Sequence, residues 1–331
     1  MGGDIDPVWT QNKDILDTLE AYMAHGVTSD VPLIQQVAHH VLCSGGKRIR
    51  PLLFILSAQL CGERENPLMP VGGSMIEYIH TATLLHDDVL DGSETRRGVS
   101  SARTLWGNAA CILVGDYLYT LAACQAAAMN HPAVTLLFAE TCKEMSEGET
   151  LQLMCNNKLD LEESTYLRII HHKTASLFAA CGQLGGIIAG ASEEDQAVLT
   201  SFGRDIGLAF QIVDDTLDYI ADKTQTGKPA GKDFQEGRIT LPLLHLLRCC
   251  TSRDRARIKE YQPSSHSPET LFEGLHEVRD MMDQQGSITY AFNQARGYAE
   301  RAQGNLSLRF KDSAPRQAML AMANDVVNRN H

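Results

Sequence analysis

Apolar residues recur at helical spacing along most of this chain. Phe202, Ile206, Ala209, Val213 and Leu217 fall at steps of three and four, the stripe that an α-helix can bury and a strand cannot. The same spacing runs through "KDILDTLEAYMAHG", which ends at Gly26 as a helix with a C-cap glycine would. It continues through "VPLIQQVAHHVLCSGG", stopping at a double glycine, and "RIRPLLFILSAQLCG", stopping at Gly62. After the loop "ERENPLMP", the stretch "GGSMIEYIHTATLLHDDVLDG" predicts one long helix. "AACILVGDYLYTLAACQAAAM", "AVTLLFAETCKEMSEGETLQLM" and "EESTYLRIIHHKTASLFAACGQLGGIIAG" extend the pattern. "DKTQTGKPAGKDFQEGR" is a polar, glycine-containing loop, and "ITLPLLHLLRCC" is helical again. Three more amphipathic helices, broken at "YQPSSHSPE", complete the chain. Alternating strand patterns are scarce, and aromatics are only 6% of residues. The expectation is an all-α fold, a helical bundle forming a single domain over 1–331, because no linker of disordered composition divides it.

Asp87-Asp88-x-x-Asp91 and Asp214-Asp215-x-x-Asp218 each close an apolar helical stretch. On a helix, positions i, i+1 and i+4 lie within roughly 100° of one another. Three carboxylates there repel, and the dipole at a helix C-terminus adds to the repulsion. A lone copy reads as a solvated helix end. Two copies in one helical chain point to a divalent cation, and oxygen-only ligands suit Mg²⁺, which keeps waters and shares phosphate oxygens. Gln211 lies three, four and seven residues before Asp214, Asp215 and Asp218, so all four share a face. A polar face at the end of a buried helix suggests a cavity rather than open water.

The 331 residues carry a formal charge of −12, from 29 basic and 41 acidic side chains. That argues against a nucleic-acid binder and leaves the basic clusters to local explanations. Lys47, Arg48 and Arg50 follow two glycines, Arg96 and Arg97 follow the first triad, Lys173 precedes Thr174, and Lys228 and Lys232 sit in "TGKPAGKD". Each cluster alone reads as solvated surface. Beside carboxylate triads they read as phosphate clamps, arginine with forked donors and lysine with a point charge. The run Gly45-Gly46-Lys47 lacks P-loop spacing. The pairs His39-His40 and His171-His172 read as structural, whereas His80 lies two turns before Asp87 on the same face. Nine cysteines without a Cys-x-x-Cys pair read as reduced thiols of a cytoplasmic protein. The N-terminal "MGGDIDPVWTQNKD" has no signal-like apolar run, and no uninterrupted apolar run predicts a transmembrane segment.

Six blocks in order, "GGKRIRP", "LLHDDVLD", the following "RRG", "KTASLF", "FQIVDDTLDY" and "GKPAGKDFQEGRITLPLL", resemble the trans-isoprenyl diphosphate synthases. "IEYIHTATLLHDDV", "LVGDYLY", "SEGETLQLM" and "TLPLLHLL" resemble the long-chain bacterial enzymes of the octaprenyl diphosphate synthase type. The resemblance implies a bundle around a deep central cavity, the isoprenoid synthase fold, in a homodimer. It implies that Asp87, Asp88, Asp91, Asp214, Asp215 and Asp218 bind Mg²⁺ with an allylic prenyl diphosphate. Arg96, Lys173, Gln211 and Lys228 would hold that substrate, and Lys47, Arg50, His80 and Arg97 would hold isopentenyl diphosphate. Phe210 would line the site. Lys173, Thr174 and Gln211 would stabilise an allylic cation, so no side-chain nucleophile is needed. Two positions depart from the pattern, Lys232 where an acidic residue is common and Arg238 where lysine is common; Asp233 keeps the loop acidic.

Ala82 and Thr83 lie five and four residues before the first aspartate. The resemblance implies that small side chains here leave the cavity open for a long, octaprenyl-length product. A helical wheel puts Thr83 under Asp87 but Ala82 off that face. Competing readings are a shorter-chain farnesyl or geranylgeranyl synthase, a class I terpene cyclase, and a non-catalytic partner subunit of a synthase. Such subunits tend to lose an aspartate motif, and both are present here.

Overall fold

The periodic stretches become helices in the computed structural model, which describes residues 6–96, 98–220, 231–261 and 268–329. In order these are α1 (Asp6–Gln11), α2 (Lys13–Gly26), α3 (Pro32–Leu42), α4 (Ile49–Leu60) and α5 (Met69–Leu90), then a hairpin of β1 (Thr95–Arg96) and β2 (Val99–Ser100). There follow α6 (Ala102–Ala128), α7 (Pro132–Cys155), α8 (Glu163–Ile170), a π-helical turn (His171–Ala175), α9 (Ser176–Ile188) and α10 (Glu193–Ile220). The remainder is α11 (Lys232–Gln235), α12 (Leu241–Cys249), α13 (Ser252–Glu260), α14 (Pro268–Gln284), α15 (Ser287–Arg309) and α16 (Ala314–Val327). Among the described residues the hairpin is the only β-structure. Its strands of two residues are too short for an alternating pattern to show. Among the described residues four helices rather than three follow α12. The extra one, α13, starts on a capping box between Thr251 and Asp254 and buries only Ile258, so it offers almost no apolar stripe to read.

The chain divides into two compact units. The first comprises Met1–Cys142, Leu177–Gly203 and Leu306–Ala321. At its centre α4 is apolar on every side, with Leu52, Leu53, Phe54, Ile55 and Leu56 all within 2% of full burial. Each such side chain contributes about 1.5–3 kcal/mol. Helix α5 packs along α6, which is capped by Ser101 and kinked at Gly107, where φ is 81°. Gly26 stays within α2 and is not a left-handed cap. A methyl there would overlap the Tyr78 hydroxyl, so the glycine serves close packing. In the same way, methyls on Gly182 and Gly203 would overlap the carbonyls of Leu199 and Phe178, so only glycine lets α9 and α10 approach this closely. Among the described residues, α6 is the one helix long and apolar enough to cross a membrane by length and composition, and 44% of that apolar window is buried.

The second unit comprises Lys143–Ser176, Arg204–Asn305 and Met322–His331. Tyr290 of α15 stacks on His245 of α12 with ring centroids 4.3 Å apart, and its hydroxyl donates to Glu163 of α8. Asp205 of α10, fully buried, accepts from Nε and Nη2 of Arg301 on α15 at 2.8 and 2.7 Å. All nine cysteines are free thiols.

Candidate active site

In the first unit, Asp87 and Asp88 occupy the last turn of α5 and Asp91 follows as its C-cap, its N–H donating to the Asp87 carbonyl. Asp88 is 1% exposed. Its Oδ1 accepts from Nε and Nη2 of Arg96 at 3.0 and 2.8 Å. The hairpin places that arginine, since β1 pairs with β2 across a turn in which Gly98 has φ of 80°. Arg97 lies outside the described residues. On the preceding turns of α5, Nε2 of His80 lies 3.3 Å from Nη1 of Arg50, and the Arg50 guanidinium sits 4.6 Å from the centroid of the Phe178 ring. Ala82 is fully buried. Thr83 is half-buried, and its hydroxyl donates to the His80 carbonyl at 2.7 Å. Lys47 is exposed. Arg48, which the sequence groups with it, turns instead onto carboxylates. It donates to Glu77 at 2.7 Å and to Glu20 at 2.5 and 3.1 Å.

In the second unit, the second triad ends α10. Asp214 is exposed while Asp215 is 6% exposed, so adjacent carboxylates have different surroundings. Asp215 accepts from the Tyr166 hydroxyl at 2.7 Å and from the Gln211 amide at 2.7 Å. The other end of Gln211 accepts from the Thr174 hydroxyl at 2.8 Å. Asp218 accepts from the backbone N–H groups of Lys232 and Asp233 at 3.2 and 2.9 Å. Burial, with the neighbouring charge of Asp233, pushes the Asp218 carboxyl up to about 7. Burial first and Asp233 second also raise Asp215 well above the usual carboxylate range. Asp233 is itself paired with Arg238 at 3.1 Å.

Lys173 and Thr174 sit in the π-helical turn, which Ser176 closes by donating its N–H to the His171 carbonyl. Nζ of Lys173 lies 2.5 Å from Oε2 of Glu149 on α7. With its amide oxygen turned towards them, Gln152 accepts from Lys173 Nζ at 3.2 Å and Arg238 Nε at 3.3 Å. A cavity of about 110 Å³ is lined by Tyr166, Lys173, Thr174, Gln211, Asp214 and Asp215 among others. Phe210 is half-buried and lies under the Arg329 guanidinium at 4.5 Å. Lys228 lies outside the described residues.

Sequence reasoning misses Tyr166, Glu149 and Gln152. Glu149 and Gln152 share a helix face as i and i+3, but within the polar stretch "KEMSEGETLQ" of α7 nothing singles them out as a signal. Tyr166 carries none: its partner is 49 residues away.

The donor set suits a hard divalent cation. All the triad donors are carboxylate oxygens, with Asp214 outward and Asp218 steadied by two N–H groups. Among the described residues no three acidic, His or Cys side chains close a metal cage.

The Polyprenyl synthetase family matches residues 31–275. The octaprenyl diphosphate synthase of Haemophilus influenzae is 39% identical over 306 residues, covering 92% of this chain and 91% of that protein. The octaprenyl diphosphate synthase of Escherichia coli is 38% identical over 312 residues, covering 94% and 95%. A polyprenyl synthase from Caulobacter crescentus, crystallised with calcium and isoprenyl diphosphate, superposes with a TM-score of 0.92 at 34% identity over 99% of each chain. By fold and by sequence alike, this chain belongs to the polyprenyl synthetase family and is a prenyltransferase.

Proposed function

We propose that the chain is a long-chain trans-polyprenyl diphosphate synthase of the octaprenyl type, working as one catalytic domain. It extends an allylic prenyl diphosphate with successive molecules of isopentenyl diphosphate. The observation that carries this reading is the cavity of the second unit, which gathers Lys173, Thr174, Gln211 and Asp215 from separate parts of the sequence. The octaprenyl diphosphate synthases at 39% and 38% identity support the product length.

Asp87, Asp88, Asp91, Asp214, Asp215 and Asp218 would hold Mg²⁺, and bound Mg²⁺ supplies charge neutralisation for the departing diphosphate. Arg96, Lys173 and Lys228 add fixed positive charge on the allylic side, where it counts most as the C–O bond breaks. Lys47, Arg50, His80 and Arg97 hold isopentenyl diphosphate so that its double bond points at the allylic carbon. Ionisation leaves an allylic cation. The hydroxyl of Thr174 and the amide of Gln211, fixed to each other, turn oxygen dipoles towards it, with Phe210 lining the site. The double bond attacks, a new C–C bond forms, and a proton leaves to the released diphosphate.

The exposed apolar residues Leu105, Ile112 and Leu113 of α6 support a homodimer, and the nine free thiols support a reducing, cytoplasmic location; light scattering of the purified protein checks the first. Incubation with farnesyl and isopentenyl diphosphates and Mg²⁺, followed by mass spectrometry, tests the activity. All-trans octaprenyl diphosphate is expected, and a chelator is expected to stop its formation. A product ending at farnesyl or geranylgeranyl length would favour a shorter-chain synthase, and no extension at all would favour a non-catalytic partner subunit.

A further inference from the structure

Between α3 and α4 the chain turns through "CSGGKR", and Arg48 closes the turn with φ of 45° and ψ of 38°. A left-handed arginine costs roughly 1–2 kcal/mol over glycine, so its side chain must hold it there. The Arg48 side chain is 10% exposed. Nε and Nη2 donate to the two oxygens of Glu20, Nη1 donates to Glu77, and Nη2 also donates to the Leu42 carbonyl at 2.7 Å. Four donor contacts thus go to groups of the protein itself, out of the five N–H groups that an arginine has.

The connections run towards isopentenyl diphosphate. Lys47 precedes Arg48 and Arg50 follows two residues later. Glu77, 3% exposed, lies on α5 one turn before His80, which Arg50 meets at 3.3 Å. The Arg48–Glu77 pair therefore joins the turn that carries Lys47, and the first turn of α4 that carries Arg50, to the helix that carries the third group. Glu20 anchors the same guanidinium to α2.

We infer that Arg48 is a positioning residue for isopentenyl diphosphate: held by Glu77 and Glu20, it sets the aim of Lys47 and Arg50 without touching the substrate. The inference rests on the synthase reading above and deepens it. Arg48→Lys keeps the charge but not the fork, and Glu20→Gln removes one half-exposed carboxylate. Steady-state kinetics of the full-length enzyme, with thermal melting in parallel, test both. The KM for isopentenyl diphosphate is expected to rise about tenfold in Arg48→Lys and about threefold in Glu20→Gln. The allylic KM and kcat should stay within about twofold, because binding of the other substrate does not use this loop. A purely structural role would lower the melting temperature and kcat without separating the two KM values. An unchanged isopentenyl diphosphate KM in Arg48→Lys, or equal shifts in both KM values, overturns the inference. Should Arg48→Lys fail to fold, Glu20→Gln decides alone in the same way. Failure of the wild-type enzyme to consume isopentenyl diphosphate would instead sink the synthase reading, which keeps the two failures apart.

Discussion

Gly148 of α7 touches the backbone of the turn that presents Lys173: a methyl on Gly148 would lie 2.5 Å from the Lys173 nitrogen and 2.8 Å from Cβ of His172. Neither neighbour can swing away, because one is backbone and the other is fixed by it. Gly148→Ala is therefore expected to displace the π-helical turn, with a cost in stability of about 1–3 kcal/mol. Misplacing Lys173 and Thr174 by a fraction of an ångström or more should lower kcat about a hundredfold. Turnover and thermal melts of the variant check this, and a normal kcat would show that the contact does not govern the site.

Tyr166→Phe removes a single hydroxyl from a buried carboxylate. Asp215 keeps Gln211 but loses the 2.7 Å donor on its other oxygen. Loss of a hydrogen bond to a charged partner costs about 1.5–3 kcal/mol. If Asp215 is a metal ligand, its partner matters to the metal as well, and apparent Mg²⁺ affinity should fall about tenfold to a hundredfold. Activity measured across a Mg²⁺ titration should shift to higher concentration and recover in part at saturation. A loss of activity that no Mg²⁺ concentration relieves would place Tyr166 outside the metal's support.

Substitutions at the two small residues four and five positions before the first triad should act on product length and on stability to different extents. Thr83 is half-buried on the face of Asp87, and Thr83→Phe is expected to shorten the product with little loss of stability. Ala82 is fully buried, so Ala82→Phe should shorten the product and also cost about 1–3 kcal/mol through overpacking. Mass spectrometry of the products and melting curves report the two effects separately. Unchanged chain length in both variants would move the length-setting wall elsewhere.

Arg301→Ala tests a pair remote from catalysis in function. Asp205 has a fully buried side chain, whereas that of Arg301 is 51% exposed. Removing the arginine leaves the buried carboxylate with the longer 3.5 Å contact to Nε of Arg204, at a cost of about 2–4 kcal/mol once the partner's exposure is allowed for. Denaturant melts should show it, while both substrate KM values stay unchanged. Arg301→Met, with the stem kept, should lose nearly as much, because the fork supplies the stabilisation.

The triads were legible because repulsion makes clustered aspartates informative wherever they sit, and Gln211 was legible because helical spacing alone puts it beside Asp215. Long helices were legible from their stripes. Arg48 was not: a sequence shows a charge but not its partner, and Glu20 and Glu77 lie 28 and 29 residues away. The hairpin that delivers Arg96 to Asp88 is too short to have a period. The π-helical turn is invisible for a related reason. One wide turn shifts the register by a single residue, and the apolar stripes on either side of it look like parts of one ordinary helix.

That wide turn makes local chain length a functional variable. From Glu163 to Ser176 the backbone holds one residue more than a regular α-helix of the same span would need. Deleting any one residue between His171 and Ala175 would let the hydrogen bonds close into an unbroken α-helix, with both flanks intact. The resulting protein should still fold, yet Lys173 or Thr174 would rotate off the cavity. A one-residue gap here, in an otherwise well-matched relative, would thus mark a changed or lost chemistry where an overall identity score records almost nothing.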